Sequence, residues 1–322
     1  TFRREPTADE RSSRPTDDGL TIWRDNQYGT LEEDARRRDF TVNALYFRPL
    51  TEPTFRDFCG GEEDLRRKVV RAIGDPELRL AEDPVRIIRA LKLVGEYDFS
   101  LADDLNGPVR SLASRIDVCS RARLFEELLK ILKKPYARPT LEALLTHGVL
   151  EHFLPQVCAF LESEGAGLTL RLLGLRDRRM STIDGYTNSR ALALATAAYP
   201  FVCSEMGVEA GELWAFASGV EQEIRAALLR FYAPLVLPRV LSARVRDVLL
   251  LLPRFRLEKG RQRLIRHGDY RYARELYAIL TEVFGWDPQV IEGWPELGTG
   301  RPRRSSPRRG GRGRTRGRRS RR

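Results

Sequence analysis

From about Asp75 to Phe284 the chain alternates short apolar-periodic stretches with proline, glycine or polar breaks. Val85, Ile88, Leu91 and Val94 recur at a spacing of three and predict one buried helix face. Asp75-Pro76 and Asp83-Pro84 each read as an N-cap followed by proline at the first helical position. Further short amphipathic helices are predicted over Ala122–Lys133, Leu141–His147, Leu168–Leu175, Ala191–Phe201, Gly219–Phe231, Val240–Leu252 and Tyr270–Phe284. The first sixty residues pattern differently. Arg4 to Leu20 is polar and proline-containing and reads as a mobile loop. Glu32 to Phe47 reads as a helix or helix-like turn with Phe40, Leu45 and Phe47 inward. Thr54 to Phe58 alternates as a short strand that Gly60-Gly61 ends. The expected fold class is α+β, a small mixed edge followed by a mostly helical neck and body.

Composition adds boundaries to this picture. A chain of 322 residues is long for one domain, and 42% hydrophobic content supports a sizeable core. Its longest apolar run, Ala191 to Cys203, falls short of the ~18 residues a membrane helix needs and contains Thr196 and Pro200. The four cysteines lie far apart without a CxxC pair, and the three histidines complete no zinc pattern. Buried free thiols in a reducing, cytoplasmic setting are the expectation.

Charge is unevenly placed. Residues 301–322 hold twelve arginines and no acid, so of the whole-chain +11 the first 300 residues carry −1. The tail's Arg, Gly, Ser and Pro cannot bury apolar surface, and disorder is expected from residue 297 onward. Arginines spaced by Gly and Ser suit contact with RNA phosphates. The candidates are Arg303, Arg304, Arg308, Arg309, Arg312, Arg314, Arg316, Arg318 and Arg319.

Two blocks carry candidate chemistry. The first is Arg36-Arg37-Arg38-Asp39-Phe40-Thr41-Val42-Asn43-Ala44-Leu45. In it Arg38 can meet a triphosphate and Asp39 can sit at a reaction centre. The second runs from Ala72-Ile73-Gly74-Asp75-Pro76-Glu77 to Glu82-Asp83-Pro84-Val85-Arg86-Ile87-Ile88-Arg89-Ala90. Asp83, Arg86, Arg89 and Lys92 are each three residues apart and form a drifting polar stripe on one helix. A carboxylate accepts hydrogen bonds and a guanidinium donates them. Side by side, Asp83 and Arg86 match the edge of adenine or cytosine, which offers an amino donor beside a ring-nitrogen acceptor, whereas guanine and uracil present the reverse. Arg89 and Lys92 attract phosphates. By spacing alone, Asp83 also serves as an N-cap, Glu82 with Arg86 as an ordinary i,i+4 pair, and Arg36–Arg38 as a solvated cluster.

RRDFTVNAL together with GDPELRLAEDPVRIIRALK resembles the paired signature of the class II nucleotidyltransferases, which comprise CCA-adding tRNA enzymes and bacterial poly(A) polymerases. The Arg24–Gly29 stretch, the Phe58–Gly61 turn, Ala122–Glu127 and the arginine-rich tail are more similar to the poly(A) polymerase branch. The resemblance implies transfer of AMP from ATP to RNA 3′ ends with Mg²⁺. It makes Asp39 an active-site carboxylate, Arg38 and Asn43 nucleotide contacts, Asp83 and Arg86 the base-reading pair, and Arg89 a neighbour on the stripe. Lys92 replaces the arginine usual in the family and leaves a point charge there. The family's two metal-holding aspartates, one residue apart, have no Asp-x-Asp counterpart here, and Thr1-Phe2-Arg3 resembles the strand after that region. The sequence is therefore expected to start beyond the metal site and to be inactive alone. The implied organisation is a head remnant over 1–60, a helical neck over 61–125, an RNA-binding body over 126–296 and a basic tail over 297–322. CCA addition and non-catalytic RNA binding are the alternatives.

Overall fold

Asp75 shows how local sequence sets the helical architecture. Its side chain accepts a hydrogen bond from the Leu78 amide at 2.9 Å, and Pro76 opens the helix behind it. Such a cap contributes about 1 kcal/mol. The same logic recurs at Thr30, Ser120 and Ser189, whose hydroxyls accept from Glu33, Arg123 and Leu192 amides. The computed structural model describes residues 28–49, 54–163, 166–257 and 260–296. The expected strand at Thr1–Arg3, the loop at 4–20 and the arginine tail lie outside the described residues.

Element order is α1 (Leu31–Arg36), β1 (Leu45–Arg48), β2 (Thr54–Asp57), α2 (Gly61–Arg67), β3 (Val69–Val70), α3 (Pro76–Glu82), α4 (Val85–Tyr97), β4 (Ser100–Leu101) and α5 (Asp103–Ser111). Then follow α6 (Arg121–Lys133), α7 (Ala137–Thr146), α8 (Leu150–Phe153), α9 (Pro155–Glu162), α10 (Ala166–Thr182) and α11 (Arg190–Glu205). Last come α12 (Val220–Phe231), α13 (Arg239–Leu251), α14 (Arg261–Ile265), α15 (Tyr270–Phe284) and α16 (Pro288–Glu292). The fold is α+β, mostly helical with few strands. β1 and β2 form an antiparallel hairpin with Phe47 opposite Phe55, and β3 pairs in parallel with β4.

The predicted helix-like turn over Glu32–Phe47 divides into α1, a 3-10 turn at Thr41–Asn43 and β1. Phe40 is buried as expected, but Phe47 is 64% exposed on the hairpin. The segment runs outward as a strand, with Leu45 and Tyr46 half-buried and Phe47 and Arg48 exposed.

α4 is the pivot of the neck. Val85, Ile88 and Leu91 are buried, and so are Ile87, Ala90 and Leu93, giving a wider apolar face than a spacing of three describes. A second face is covered because α7 lies against α4 at very close range. A Cβ added at Gly95 would fall 2.5 Å from the Cα and N of Thr140, so glycine is the residue that permits this approach. In the body, α11 is buried from Ala191 to Cys203 and contacts α6, α10, α12, α13 and α15. The long apolar run is thus the central helix of the body. Buried residues from Phe40 to Trp294 form one continuous core. The division expected between residues 125 and 126 falls inside α6. No helix among the described residues is long and apolar enough to cross a membrane.

Candidate nucleotide-binding cleft

The segment after α1 is pinned before it presents any chemistry. The Asp39 carbonyl accepts from Ile73 at 3.2 Å, and the Thr41 amide donates to the Arg71 carbonyl at 3.0 Å, with Phe40 bridging to Ala72 between them. Thr41 donates to the buried Asp64 carboxylate at 2.8 Å, which Arg71 also holds. A Cβ at Gly61 would lie 2.1 Å from the Thr41 carbonyl oxygen, so α2 touches this turn directly. Asp39 is thereby fixed at the rim of a cleft. Its Oδ1 accepts from the Phe40 amide at 2.9 Å and from the Asn43 side chain at 3.0 Å.

Arg38 is tied into the same wall. It donates to Asp34 at 3.0 Å, to the Tyr46 hydroxyl at 3.1 Å and to the Asn43 carbonyl at 3.1 Å, with its guanidinium over the Tyr46 ring. Burial pulls its pKa down, and the hydrogen bonds to Asp34 and Tyr46 more than offset that, leaving it raised. Arg79, on α3, reaches back to the Arg37 and Arg38 carbonyls at 2.9 and 3.2 Å. The loop bearing the first block is thus fastened to the first helix of the second.

Asp83 ends α3 rather than capping α4 outright. Its carboxylate accepts from the Val85 amide at 3.3 Å, while Pro84 occupies the N-cap position of α4. Both Asp83 oxygens accept from Arg123 Nη2 at 2.8 Å. Arg86 donates to the Arg79 carbonyl at 2.7 Å, and burial followed by the charge of Arg79 lowers its pKa. Arg89 donates to Glu127 at 3.0 Å and lies 3.9 Å from the Asp39 carboxylate, bridging the two walls. Glu127 is 1% exposed. Burial by itself would lift its pKa, and the Lys130 hydrogen bond at 2.8 Å and the charge of Arg89 outweigh it, so the pKa falls. Arg89 is also depressed by burial, and the charge and hydrogen bond of Glu127 carry it above its ordinary value.

These side chains enclose a cleft of about 610 Å³ lined by Asp34, Arg37, Arg38, Asp39, Asn43, Asp83, Arg86, Arg89 and Arg123. That is within the range of small-ligand sites. Five arginines face three aspartates, so an anionic ligand meets a net cationic wall. All but one of the non-tail candidates from the sequence come together here. Lys92, half-buried one turn further along α4, does not line the cleft.

Sequence reasoning missed Arg123 and Glu127, which hold Asp83 and Arg89 from α6. A signal existed: Glu127 interrupts an apolar stripe of Leu124, Leu128 and Ile131 on a Ser120-capped helix. A carboxylate on a core face needs a cationic partner. Arg37, Asp34 and Arg79 were also missed. The tail arginines lie outside the described residues.

Two family models match the sequence. One, described as the poly A polymerase head domain, covers residues 1–71, and the other, a probable RNA and SrmB-binding site of polymerase A, covers residues 98–161. Poly(A) polymerase I of Escherichia coli O6:H1 is 31% identical over 286 residues, 86% of this chain. The chain is similar to the poly(A) polymerases and CCA-adding nucleotidyltransferases. It spans 60% of the length of that curated relative. A CCA-adding enzyme of Streptococcus gordonii is 38% identical over 40% of this chain and 31% of its own length. The crystal structure of the Bacillus stearothermophilus CCA-adding enzyme in complex with CTP aligns with a TM-score of 0.56 at 23% identity. It covers 91% of this chain and 62% of that one, a likeness of fold.

This likeness raises the matter of Mg²⁺. Among the described residues no group of three or more His, Cys, Asp or Glu side chains is placed to hold a metal. The three carboxylates of the cleft are already engaged, Asp39 by the Phe40 amide and Asn43, Asp34 by Arg38 and Tyr46, and Asp83 by Arg123. A hard divalent ion needs several converging oxygens. The described residues do not fit such a site.

Proposed function

We propose that the cleft between the Asp39 turn, α4 and α6 binds the nucleotide of a template-independent adenylyltransferase that adds AMP from ATP to RNA 3′ ends in a cytoplasmic setting. The reading is supported above all by Asp83 and Arg86 lining one polar cleft with five arginines. Arg123 holds the Asp83 carboxylate through one nitrogen, and a carboxylate offers about four acceptor sites, so Asp83 keeps capacity for an exocyclic amine. Arg86 spends Nη1 on the Arg79 carbonyl and has further N–H groups for a ring nitrogen. Adenine supplies both complements. Arg37, Arg38 and Arg89 then lie where the triphosphate charge is met. The overall reaction joins the RNA 3′ oxygen to the α-phosphorus and releases pyrophosphate.

Cytosine offers the same donor and acceptor order, and the match to a CCA-adding enzyme at 38% identity favours keeping CCA addition as the second reading. A comparison of ATP, CTP and GTP binding decides between them. Asp83→Ala is expected to cost about 1–3 kcal/mol of ATP-over-GTP discrimination. Its melting temperature should fall only by what removal of a cap-like hydrogen bond of about 1 kcal/mol implies. If the variant melts lower yet prefers ATP over GTP as before, Asp83 is a cap and the base-reading role is wrong. Stronger binding of CTP than ATP would favour the second reading.

A further inference from the structure

Beyond this cleft, a hollow of about 620 Å³ lies at the start of α12, bounded by Trp214–Gln222, Leu250 and Arg254. It lies outside the residues matched by either family model. Four observations converge there. Trp214 is 4% exposed, and its indole N–H, a donor only, has no acceptor among the described residues. α12 is twelve residues long and begins at Gly219 with no side-chain cap, so its first amides remain open to an acceptor. Arg254 is exposed and has no carboxylate partner among the described residues. Phe216 is 55% exposed, and the Arg254 guanidinium lies 5.8 Å from its ring centroid.

Three of these groups donate hydrogen bonds or carry positive charge, and the fourth is a flat aromatic face. The one acid that lines the hollow, Glu221, pairs with Arg246 at 2.6 Å, an arginine that also holds Asp247, and Glu223 is the second acid in the first turn of α12. A ligand that satisfies the set must be an acceptor-rich anion attached to a planar ring. Arg254 and Leu250 also border a second hollow of about 230 Å³ with Arg263, His267 and Asp247, whose carboxylate is held by Arg246 at 2.7 Å. Two adjoining hollows that share one arginine suit consecutive units of a polymer rather than an isolated ion.

We propose that this surface is a subsite for single-stranded RNA, with one phosphate on Arg254 and the α12 amides and one base stacked on Phe216. It rests on the reading that this chain handles RNA, and it adds a binding surface on the body remote in sequence from the nucleotide cleft. An acidic peptide would meet the arginines but would leave the aromatic face unused. A positively charged groove with a stacking aromatic is the general solution for single strands.

The test uses the full chain and fluorescein-labelled oligo(A), followed by anisotropy across a salt series. Phe216→Ala is expected to weaken binding about fivefold or more. Arg254→Ala should weaken it and reduce the slope of log K against log salt by about 0.7. Trp214→Phe, which keeps the ring and removes the N–H, should weaken binding without lowering the melting temperature markedly. Photo-crosslinks from 8-azidoadenosine should map to the peptide containing Phe216. ATP binding at the cleft should stay as in the wild type in all three variants, so loss of ATP binding there would count against the cleft reading instead. Unchanged oligo(A) affinity and salt slope in both Phe216→Ala and Arg254→Ala overturn the proposal, as does no binding of oligo(A) by the wild type. Competition by polyglutamate as effective as by oligo(A) would assign the surface to an acidic protein partner and overturn it as well.

Discussion

Replacing Gly95 with alanine sets two known effects against each other. Alanine is the better helix former by about 1 kcal/mol, so in an exposed helix the change would stabilise. Here the added methyl would sit 2.5 Å from the Thr140 Cα and N and 2.6 Å from its hydroxyl. Ordinary contact begins at 3.4 Å, so α4 and α7 must separate by about 0.9 Å along that line. The obstacle is backbone, which cannot swing aside as a side chain does. Overpacking of this kind costs about 1–3 kcal/mol. The separation also opens the packing of Leu91 and Leu93 with the helices beside them. We therefore predict net destabilisation of up to about 2 kcal/mol after the propensity gain is subtracted. Arg86 and Arg89 ride on the same helix, and hydrogen bonds weaken over a few tenths of an ångström. ATP affinity should drop in the same variant. Urea unfolding and isothermal titration with ATP check the two halves. A Gly95→Ala protein more stable than the wild type by the propensity difference would falsify the close approach of α4 and α7.

The other predictions concern α6 and the tail. Glu127→Gln should destabilise at pH 7 by an amount that shrinks in acid. The Glu127 pKa is depressed in the fold, so its ionised pairing contributes above the ordinary 4.5 and is lost as pH falls through the lower folded value. Urea midpoints from pH 3 to pH 7 test this, and a gap between the two proteins that does not vary with pH refutes it. Arg123→Ala should cost under about 1 kcal/mol in stability, because the pair with Asp83 is partly exposed, yet it should reduce ATP-over-GTP discrimination in a binding titration. Equal loss of ATP and GTP binding would argue against an orienting role. Removing Gly300–Arg322 should weaken RNA binding and flatten its salt dependence by about 0.7 for each phosphate that the tail no longer neutralises, with no change in the unfolding midpoint. An unchanged slope would assign RNA binding to the body alone.

What the sequence revealed follows from which interactions are local. Tyr270–Phe284 was legible to the residue because its apolar period and its flanking Gly285 are both local signals. Asp75 was legible as a cap because the hydrogen bond spans three residues. Asp83 read the same way, yet its carboxylate is held from forty positions away by Arg123, a partner that no window of spacing contains. The width of the α4 apolar face was hidden for the same reason: α7 covers it from across the fold. Phe47 misled because an apolar residue was read at helical period where the chain runs as a hairpin strand. The cleft itself was legible in large part, since most of its acids and bases sit in two contiguous blocks, and the pieces supplied by α6 were not.

α6 stands between two surfaces. One side gives Arg123 and Glu127 to Asp83 and Arg89, while Arg121, Phe125 and Glu126 line a hollow of about 610 Å³ completed by α13. On the proposed base-reading role of Asp83 and Arg86, base preference would not be portable on α4 alone. A chimera that imported only residues 83–92 from a relative with another nucleotide choice would meet countercharges suited to the old one. Importing α6 with it would restore those charges and at the same time recarve the floor of the second hollow. On that reading, a fragment that transfers base preference would have to carry both helices.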